Sequence, residues 1–181
     1  EPRRVRLFLD LKLHDIPHTV ANTVARLVEV WRPELVTVHG SGGVEMLAAA
    51  VQAADSVSAG RTKILAVSVL TSLSEEACHA IYGASPIEVV TRFVHMAKQA
   101  GCWGLVCSGA EIPVATSLGL HAVVPGIRPA WSLGTPDDQR RTVTPRAAID
   151  AGATLVVIGR PIVRADDPAR AQQRTLAELA A

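Results

Sequence analysis

Short runs of apolar, often β-branched residues alternate along the chain with longer amphipathic stretches. The amphipathic stretches at 19–31, 43–54, 86–100 and 144–151 predict helices. The apolar runs that separate them lie at residues 5–9, 35–38, 64–69, 103–106, 122–124 and 155–158. Near-continuous apolar strands that alternate with helices are typical of parallel βαβ units whose sheet is covered on both faces. The pattern therefore predicts an α/β fold with six parallel strands.

The spacing of these strands narrows the choice of architecture. Successive strands begin roughly 19 to 39 residues apart, as they do in an α/β barrel or a doubly wound sheet. No Pro/Gly/Ser-rich linker or block of like charges divides the 181 residues, so we expect one domain over 1–181. A complete (β/α)₈ barrel has eight strands in about 250 residues. If the fold is a barrel, we expect its first two βα units to be missing from this chain.

Composition excludes several classes of protein. Apolar residues make up 49% and charged residues 19%, which predicts a sizeable core, while only 3% are aromatic. A net charge of +1 is not that of a protein that holds a nucleic acid polymer. No apolar run approaches the ~20 residues of a membrane span. Three cysteines without a CxxC pair predict neither a disulfide framework nor a zinc site, and they favour the reducing cytoplasm.

The segment LDLKLHDIP at residues 9–17 carries the most informative polar pattern. In a strand, successive side chains point to opposite faces, so Asp10 and Lys12 share one face and the three leucines share the other. We expect the leucines to pack under the helices. The two charges then point at the barrel axis, near the carboxyl end of the strand, where such enzymes keep their chemistry.

The same segment has an alternative interpretation as an exposed helix, in which Lys12 and Asp15 form a surface ion pair at i,i+3. The apolar run before it favours a strand, and so does Pro17, which interrupts a helix and can begin the next one. Asp15 then lies in the turn after the strand. Carboxylates on either side of a lysine favour its charged form. A fixed ammonium suits the stabilisation and protonation of a carbanion better than Schiff-base chemistry.

Two further strand ends carry residues suited to binding an anion. The fifth strand runs into PGIRP at 125–129 and the sixth into IGRPI at 158–162. Phosphate-binding barrels commonly hold the phosphate at the loops after their last two strands. Arg128 and Arg160 offer forked donors, and Gly159 lets backbone N–H groups approach an anion. A solvated surface is the alternative for either arginine alone. The polar segment 131–141 resembles a mobile lid.

With these residues in hand, the chain resembles the bacterial type of orotidine 5′-monophosphate decarboxylase. The resemblance covers essentially the whole chain and rests on five motifs in order. These are LDLKLHDIP (9–17), VLTS (69–72), PGIRP (125–129), DQRR (138–141) and IGRPI (158–162). It implies a (β/α)₈ (TIM) barrel, of which about six βα units are present. It also implies decarboxylation of orotidine 5′-phosphate to UMP and CO₂ in de novo pyrimidine synthesis, without a cofactor or metal.

The resemblance also implies a role for each matching residue. Lys12 would protonate C6 of the pyrimidine after CO₂ leaves, and Asp10 would orient Lys12 and crowd the substrate carboxylate. Asp15, with Ile16 and Thr19, would reach into the other active site of a homodimer. The remaining residues implied in substrate binding are Thr71 on the pyrimidine edge, and Pro125, Arg128, Gln139, Gly159 and Arg160 around the phosphodianion.

The family pattern includes two charged residues that this chain does not match: a lysine on the strand before Asp10, and an aspartate on the first strand. Nothing before Val5 supplies either, so we expect a longer parent protein. Two other functions remain open. A related barrel enzyme could act on a keto-sugar phosphate with Mg²⁺ held by Asp10 and Asp15. A non-catalytic protein could bind a phosphorylated ligand through Arg128 and Arg160.

Four other residues are candidates for structural roles. We expect His14 to lie outside the row formed by the catalytic side chains, and His39 to be structural at least as readily as it lines the pocket. We expect Cys107 to be a small, buried apolar residue. We expect Trp131 to pack against the lid.

Overall fold

A computed structural model describes residues 6–132 and 142–180. Within these residues six strands alternate with helices. The strands are β1 (Phe8–Leu13), β2 (Leu35–His39), β3 (Lys63–Val67), β4 (Gly104–Val106), β5 (His121–Val124) and β6 (Leu155–Val156). The helices are α1 (Pro17–Trp31), α2 (Gly43–Ser58), α3 (Glu75–Tyr82), α4 (Pro86–Gln99), α5 (Ile112–Ser117), α6 (Pro145–Asp150), α7 (Arg160–Val163) and α8 (Pro168–Ala180).

The strands follow the order of the chain, β1-β2-β3-β4-β5-β6, in one sheet. β1 pairs with β2, β2 with β3 and β5 with β6, each in parallel. Sequential parallel strands joined by helices are the repeating unit of an α/β barrel. The predicted α/β class is therefore confirmed. No helix among residues 6–132 and 142–180 has the length and apolar character to cross a membrane.

The chain divides into two compact units. The first comprises Glu1–Ser68 and Thr91–Leu105, and the second comprises Val69–Val90 and Val106–Ala181. In the first unit, β2 and β3 are almost entirely buried, as expected of parallel strands covered on both faces. α1 presents one apolar face through Val20, Val24 and Val28, spaced four residues apart. This face packs in the core beside α2.

Local signals in the sequence place the ends of several helices. α1 begins with Pro17 at its first turn, after Ile16 in an extended conformation. At α6, the Thr144 hydroxyl accepts a hydrogen bond from the Ala147 amide at 3.3 Å, and Pro145 follows as the first helical residue. Gly152 lies just beyond this helix with φ +101°. The amphipathic stretch at 144–151 therefore contains a helix, as predicted.

The first strand departs from the prediction in its bounds and in its outward face. The apolar run at 5–9 indicated a strand there, but β1 covers Phe8–Leu13, because pairing with β2 continues through the polar residues. The expectation that all three leucines pack under helices is wrong for Leu11, which is 51% exposed. The register between β1 and β2 is irregular at this point, so strict alternation of faces does not hold.

Candidate active site

A lysine and an aspartate meet at the carboxyl end of β1. Lys12 Nζ lies 2.7 Å from Asp10 Oδ2, within both hydrogen-bond and ion-pair distance. The two side chains are 40% and 48% exposed, so the pair is open to a ligand and not enclosed in the core. The predicted juxtaposition of Asp10 and Lys12 is present in the structure.

A third residue, Thr37 on β2, joins this pair. The Thr37 hydroxyl donates to Asp10 Oδ1 at 3.0 Å and accepts from the Lys12 backbone N–H at 2.9 Å. Thr37 is fully buried. The sequence analysis did not select it, because a β-branched residue inside an apolar run reads simply as part of a strand.

The backbone of β1 is distorted at the pair. Leu9 is in register with Val36 and Leu13 with Val38, so Asp10, Leu11 and Lys12 together lie opposite one residue of β2, Thr37. Lys12 has φ +52°, in the left-handed region that non-glycine residues seldom occupy. Such a conformation persists where its surroundings stabilise it, and it is found at functional sites more often than elsewhere.

Two histidines and a serine meet at the carboxyl ends of β1 and β2: His14 follows β1, His39 is the last residue of β2, and Ser41 comes shortly after it. Ser41 Oγ is 2.8 Å from His39 Nδ1 and 3.2 Å from His14 Nε2, and the Ser41 amide donates to His39 Nδ1 at 3.3 Å. Burial lowers the pKa of His39 below its ordinary value of 6.5, and the charges of His14 and Lys12 lower it further. His14, His39 and Ser41 therefore form one polar cluster. Strand alternation did not predict the contact between His14 and Ser41.

The turn after β1 presents Asp15, Ile16 and Thr19 at the surface. Asp15 Oδ1 accepts a hydrogen bond from the Ile16 amide at 2.7 Å, which fixes the carboxylate in the turn before α1. The Ile16 side chain is 65% exposed, a large fraction for an isoleucine. Thr19 is exposed on the first turn of α1.

In the second unit, the chain after β5 forms a turn that buries Arg128. Gly126 has φ +73°, and Ile127 forms a parallel bridge with Val143. Arg128 is 8% exposed, its backbone N–H donates to Val143 O at 2.9 Å, and its Nη1 donates to Ile127 O at 2.8 Å. Pro125, at the end of β5, is partly buried. The side chain of Arg128 is therefore held by the protein and is not a freely solvated surface group.

The other predicted anion-binding residues follow β6. Arg160 is the first residue of α7, and Pro161 lies in the same first turn. Gly159 precedes it, and among the described residues no heavy atom lies within 4 Å of the position that a Cβ would take there. The glycine therefore leaves open space on that side of the backbone.

Thr71, Gln139 and Trp131 are the remaining residues that the sequence analysis selected. Thr71 is partly buried in the turn between β3 and α3. Gln139 and most of the proposed lid, residues 133–141, lie outside the described residues. Trp131 is described, and its ring lies under the Arg174 guanidinium at 4.7 Å from the centroid.

Burial limits the reactivity of the three cysteines. All three cysteines are buried, as expected for Cys107, and burial raises the pKa of the Cys102 thiol to about 12. Within residues 6–132 and 142–180, no group of three or more His, Cys, Asp or Glu side chains is placed to hold a metal ion.

Sequential parallel βα units with a charged pair at the carboxyl end of a strand are typical of enzymes of the (β/α)₈-barrel class. Residues 1–175 match the model of the orotidine 5′-phosphate decarboxylase / HUMPS family. The chain belongs to this family.

Individual relatives agree with the family match. An orotidine 5′-phosphate decarboxylase of Gluconobacter oxydans (strain 621H) is 49% identical over 181 residues, covering 96% of this chain and 75% of the relative. One from Pseudomonas aeruginosa (strain LESB58) is 47% identical with the same coverage. The crystal structure of orotidine 5′-phosphate decarboxylase from Lactobacillus acidophilus superposes with a TM-score of 0.79 at 34% identity, covering 97% of this chain and 76% of that chain.

Proposed function

We propose that this chain decarboxylates orotidine 5′-phosphate to UMP and CO₂, a reaction of de novo pyrimidine biosynthesis, without a cofactor. The observation that carries the proposal is the ion pair between Lys12 Nζ and Asp10 Oδ2 at 2.7 Å, on the strand that bears the family's first motif. The 49% identity to a relative of that name supports it.

The chemistry requires a cation close to the reacting carbon. When the C6–CO₂ bond breaks, its electron pair stays on C6, where no conjugated carbonyl can delocalise the charge. A preorganised ammonium stabilises that charge as it develops, and then transfers its proton to C6 to give UMP. Lys12 supplies the ammonium, and Asp10 holds it in place through the ion pair. Asp10 also crowds the substrate carboxylate.

The substrate is held by residues remote from C6. Thr71 hydrogen-bonds the pyrimidine edge, while Pro125, Arg128, Gln139, Gly159 and Arg160 surround the phosphodianion. The burial of the Arg128 guanidinium supports a fixed anion site, because a held side chain loses little further entropy on binding. Binding energy gathered at the phosphate can lower the barrier at the reacting carbon.

A keto-sugar phosphate, converted with Mg²⁺ held by Asp10 and Asp15, is the second candidate substrate. Orotidine 5′-phosphate is favoured, because the relatives at 47–49% identity are all named as its decarboxylases. Decarboxylation should continue in the presence of EDTA. Loss of turnover on chelation, together with inertness toward orotidine 5′-phosphate, would instead favour the Mg²⁺-dependent reaction.

Substitution of Lys12 tests the proposal directly. Lys12→Ala should abolish release of CO₂ and formation of UMP, because the proton donor and the stabilising charge are both removed. Binding of UMP, measured by calorimetry, should be largely retained. Lys98→Ala on α4 changes an exposed lysine and should leave turnover unchanged. Turnover that survives Lys12→Ala would contradict the assignment, and a wild-type chain that binds UMP without turnover would favour a non-catalytic binding protein.

The working form of the enzyme is a homodimer in the cytoplasm. Asp15, Ile16 and Thr19 of one subunit reach the active site of the other. The exposure of Ile16 beside the fixed Asp15 carboxylate supports this arrangement.

A further inference from the structure

We propose that Thr37 is a positioning residue for the reaction, which fixes the Asp10 carboxylate and the backbone of Lys12 relative to each other. The inference rests on the proposed role of Lys12 as proton donor. Thr37 touches neither the substrate nor the proton that is transferred, and it acts through the two residues that do.

The Thr37 hydroxyl forms hydrogen bonds with both Asp10 and Lys12. A hydroxyl has one proton to donate and two lone pairs that accept. Thr37 donates to Asp10 Oδ1 and accepts from the Lys12 N–H, while Asp10 Oδ2 accepts from Lys12 Nζ. Each carboxylate oxygen therefore has a different partner. The orientation of the carboxylate, and with it that of the ammonium, follows from the position of Thr37.

Thr37 lies opposite the distorted part of β1. Asp10, Leu11 and Lys12 lie opposite Thr37 alone, so the regular parallel ladder between Leu9 and Leu13 is interrupted. Lys12 also has φ +52°, which is strained for a residue with a side chain. The Thr37 hydroxyl accepts the amide hydrogen of that residue. It therefore stabilises the backbone conformation that turns Lys12 toward Asp10.

Thr37 is a polar residue in an apolar, buried environment. Its neighbours Val36 and Val38 are fully buried, and Thr37 itself has no exposed surface. A valine at this position would fill the same space, because valine has nearly the same shape as threonine and lacks only the hydroxyl. A buried hydroxyl in this position is explained by the two groups that it holds.

The kinetic test compares Thr37→Val with Thr37→Ser. Removing the hydroxyl should lower kcat about 10- to 100-fold, because the ammonium is no longer held in its reactive position. KM should change less than about twofold, since the residues proposed to bind the phosphate lie elsewhere. Thr37→Ser keeps the hydroxyl and should restore kcat to within about threefold of wild type.

Thr62→Val is the matched control. Thr62 is also buried, in the same unit, and its hydroxyl donates to Pro33 O at 2.6 Å. Its loss should lower stability and leave kcat unchanged. If Thr37→Val keeps wild-type kcat, or if Thr62→Val lowers kcat as much as Thr37→Val does, the proposal is overturned.

Amide hydrogen exchange followed by NMR tests the same contact without turnover. The Lys12 amide should be protected in the wild-type chain, and it should exchange at least about tenfold faster in Thr37→Val but not in Thr62→Val. An unprotected Lys12 amide in the wild type would overturn the proposal even if a variant failed to fold. Absence of turnover in the wild type would count against the proposed function, while the exchange measurement would still decide the role of Thr37.

Discussion

At the scale of single residues, the hydrogen bonds among His14, His39 and Ser41 have a defined direction. The Ser41 amide can only donate, so His39 Nδ1 must be the unprotonated, accepting nitrogen. The Ser41 hydroxyl can then donate to the same nitrogen and accept from His14 Nε2. If His39 were protonated at Nδ1, its N–H would face the Ser41 N–H, and the hydrogen bond between them would be lost. The direction of this effect is the same as that of the lowered pKa of His39.

This arrangement predicts a pH dependence of stability. Because the pKa of His39 is lower in the folded chain than its ordinary value of 6.5, the unfolded chain binds more protons as the pH falls below 6.5. The free energy of unfolding should therefore be highest above this pH and decrease below it. Urea unfolding at a series of pH values should show a shallower decrease in His39→Gln than in wild type.

His95→Gln is the control for this experiment, because His95 is exposed on α4. It should keep the wild-type slope. Equal slopes for wild type and His39→Gln would remove His39 as the source of the effect.

The residues of the candidate site differ in how far sequence could predict them. The strand pattern brought Asp10 and Lys12 together, because the two residues are close in sequence and their meeting needs only local structure. Thr37 was missed, since its contacts cross between strands 25 and 27 residues apart in the chain. The contact between His14 and Ser41 could not be predicted either, because it joins residues 27 positions apart in the chain.

At the scale of elements, α8 holds the segment that follows Arg128. Both Glu178 carboxylate oxygens accept from the Ala130 amide, at 3.2 and 3.0 Å. One turn earlier on α8, Arg174 covers the Trp131 ring. A C-terminal helix thus holds the chain two residues beyond an arginine proposed to bind phosphate.

Glu178→Ala should loosen this attachment. We expect the free energy of unfolding to fall by about 1 kcal/mol, the usual contribution of one hydrogen bond. KM for orotidine 5′-phosphate should rise by about two- to fivefold with little change in kcat, because only remote binding is affected. Urea unfolding and steady-state kinetics measure the two effects. Gln173→Ala, at an exposed position of the same helix, should change neither, and an unaltered KM in Glu178→Ala would contradict the coupling to Arg128.

Elements were more predictable than side-chain contacts. All six strands lie at or next to the predicted apolar runs, because a strand buried on both faces must be continuously apolar. The error at β1 has the same origin. Its functional half is polar, so hydropathy ended the strand at residue 9 although its pairing with β2 extends to Leu13.

At the scale of the whole molecule, the proposed dimer can be tested by mixing two inactive variants. Lys12→Ala and Asp15→Ala should each lack activity. In a mixed dimer, one site combines an intact Lys12 with an intact Asp15 of the partner subunit. Random exchange of subunits should therefore restore about one quarter of wild-type activity.

The control for the mixing experiment is Lys12→Ala mixed with Lys12→Ala/Asp15→Ala, in which every site lacks Lys12. No activity should return. If the first mixture also stays inactive after subunits have exchanged, as followed by mass spectrometry, then Asp15 does not serve the partner's site.

The fold class was the most predictable property, because the alternation of apolar runs with amphipathic stretches indicates it even where individual contacts are misjudged. The chain covers 75% of the length of its curated relatives at 47–49% identity. The presence of two further βα units in a longer parent protein stays a prediction. It can be checked by comparing the turnover of this chain with that of its parent.

The distortion in β1 has a consequence for solubility. A strand with a regular row of N–H and C=O groups invites pairing with other chains. Bulges and charged side chains discourage such association, and β1 has both, although it also exposes Leu11. The irregularity that brings the proposed proton donor to its carboxylate therefore also makes β1 a poor template for such pairing.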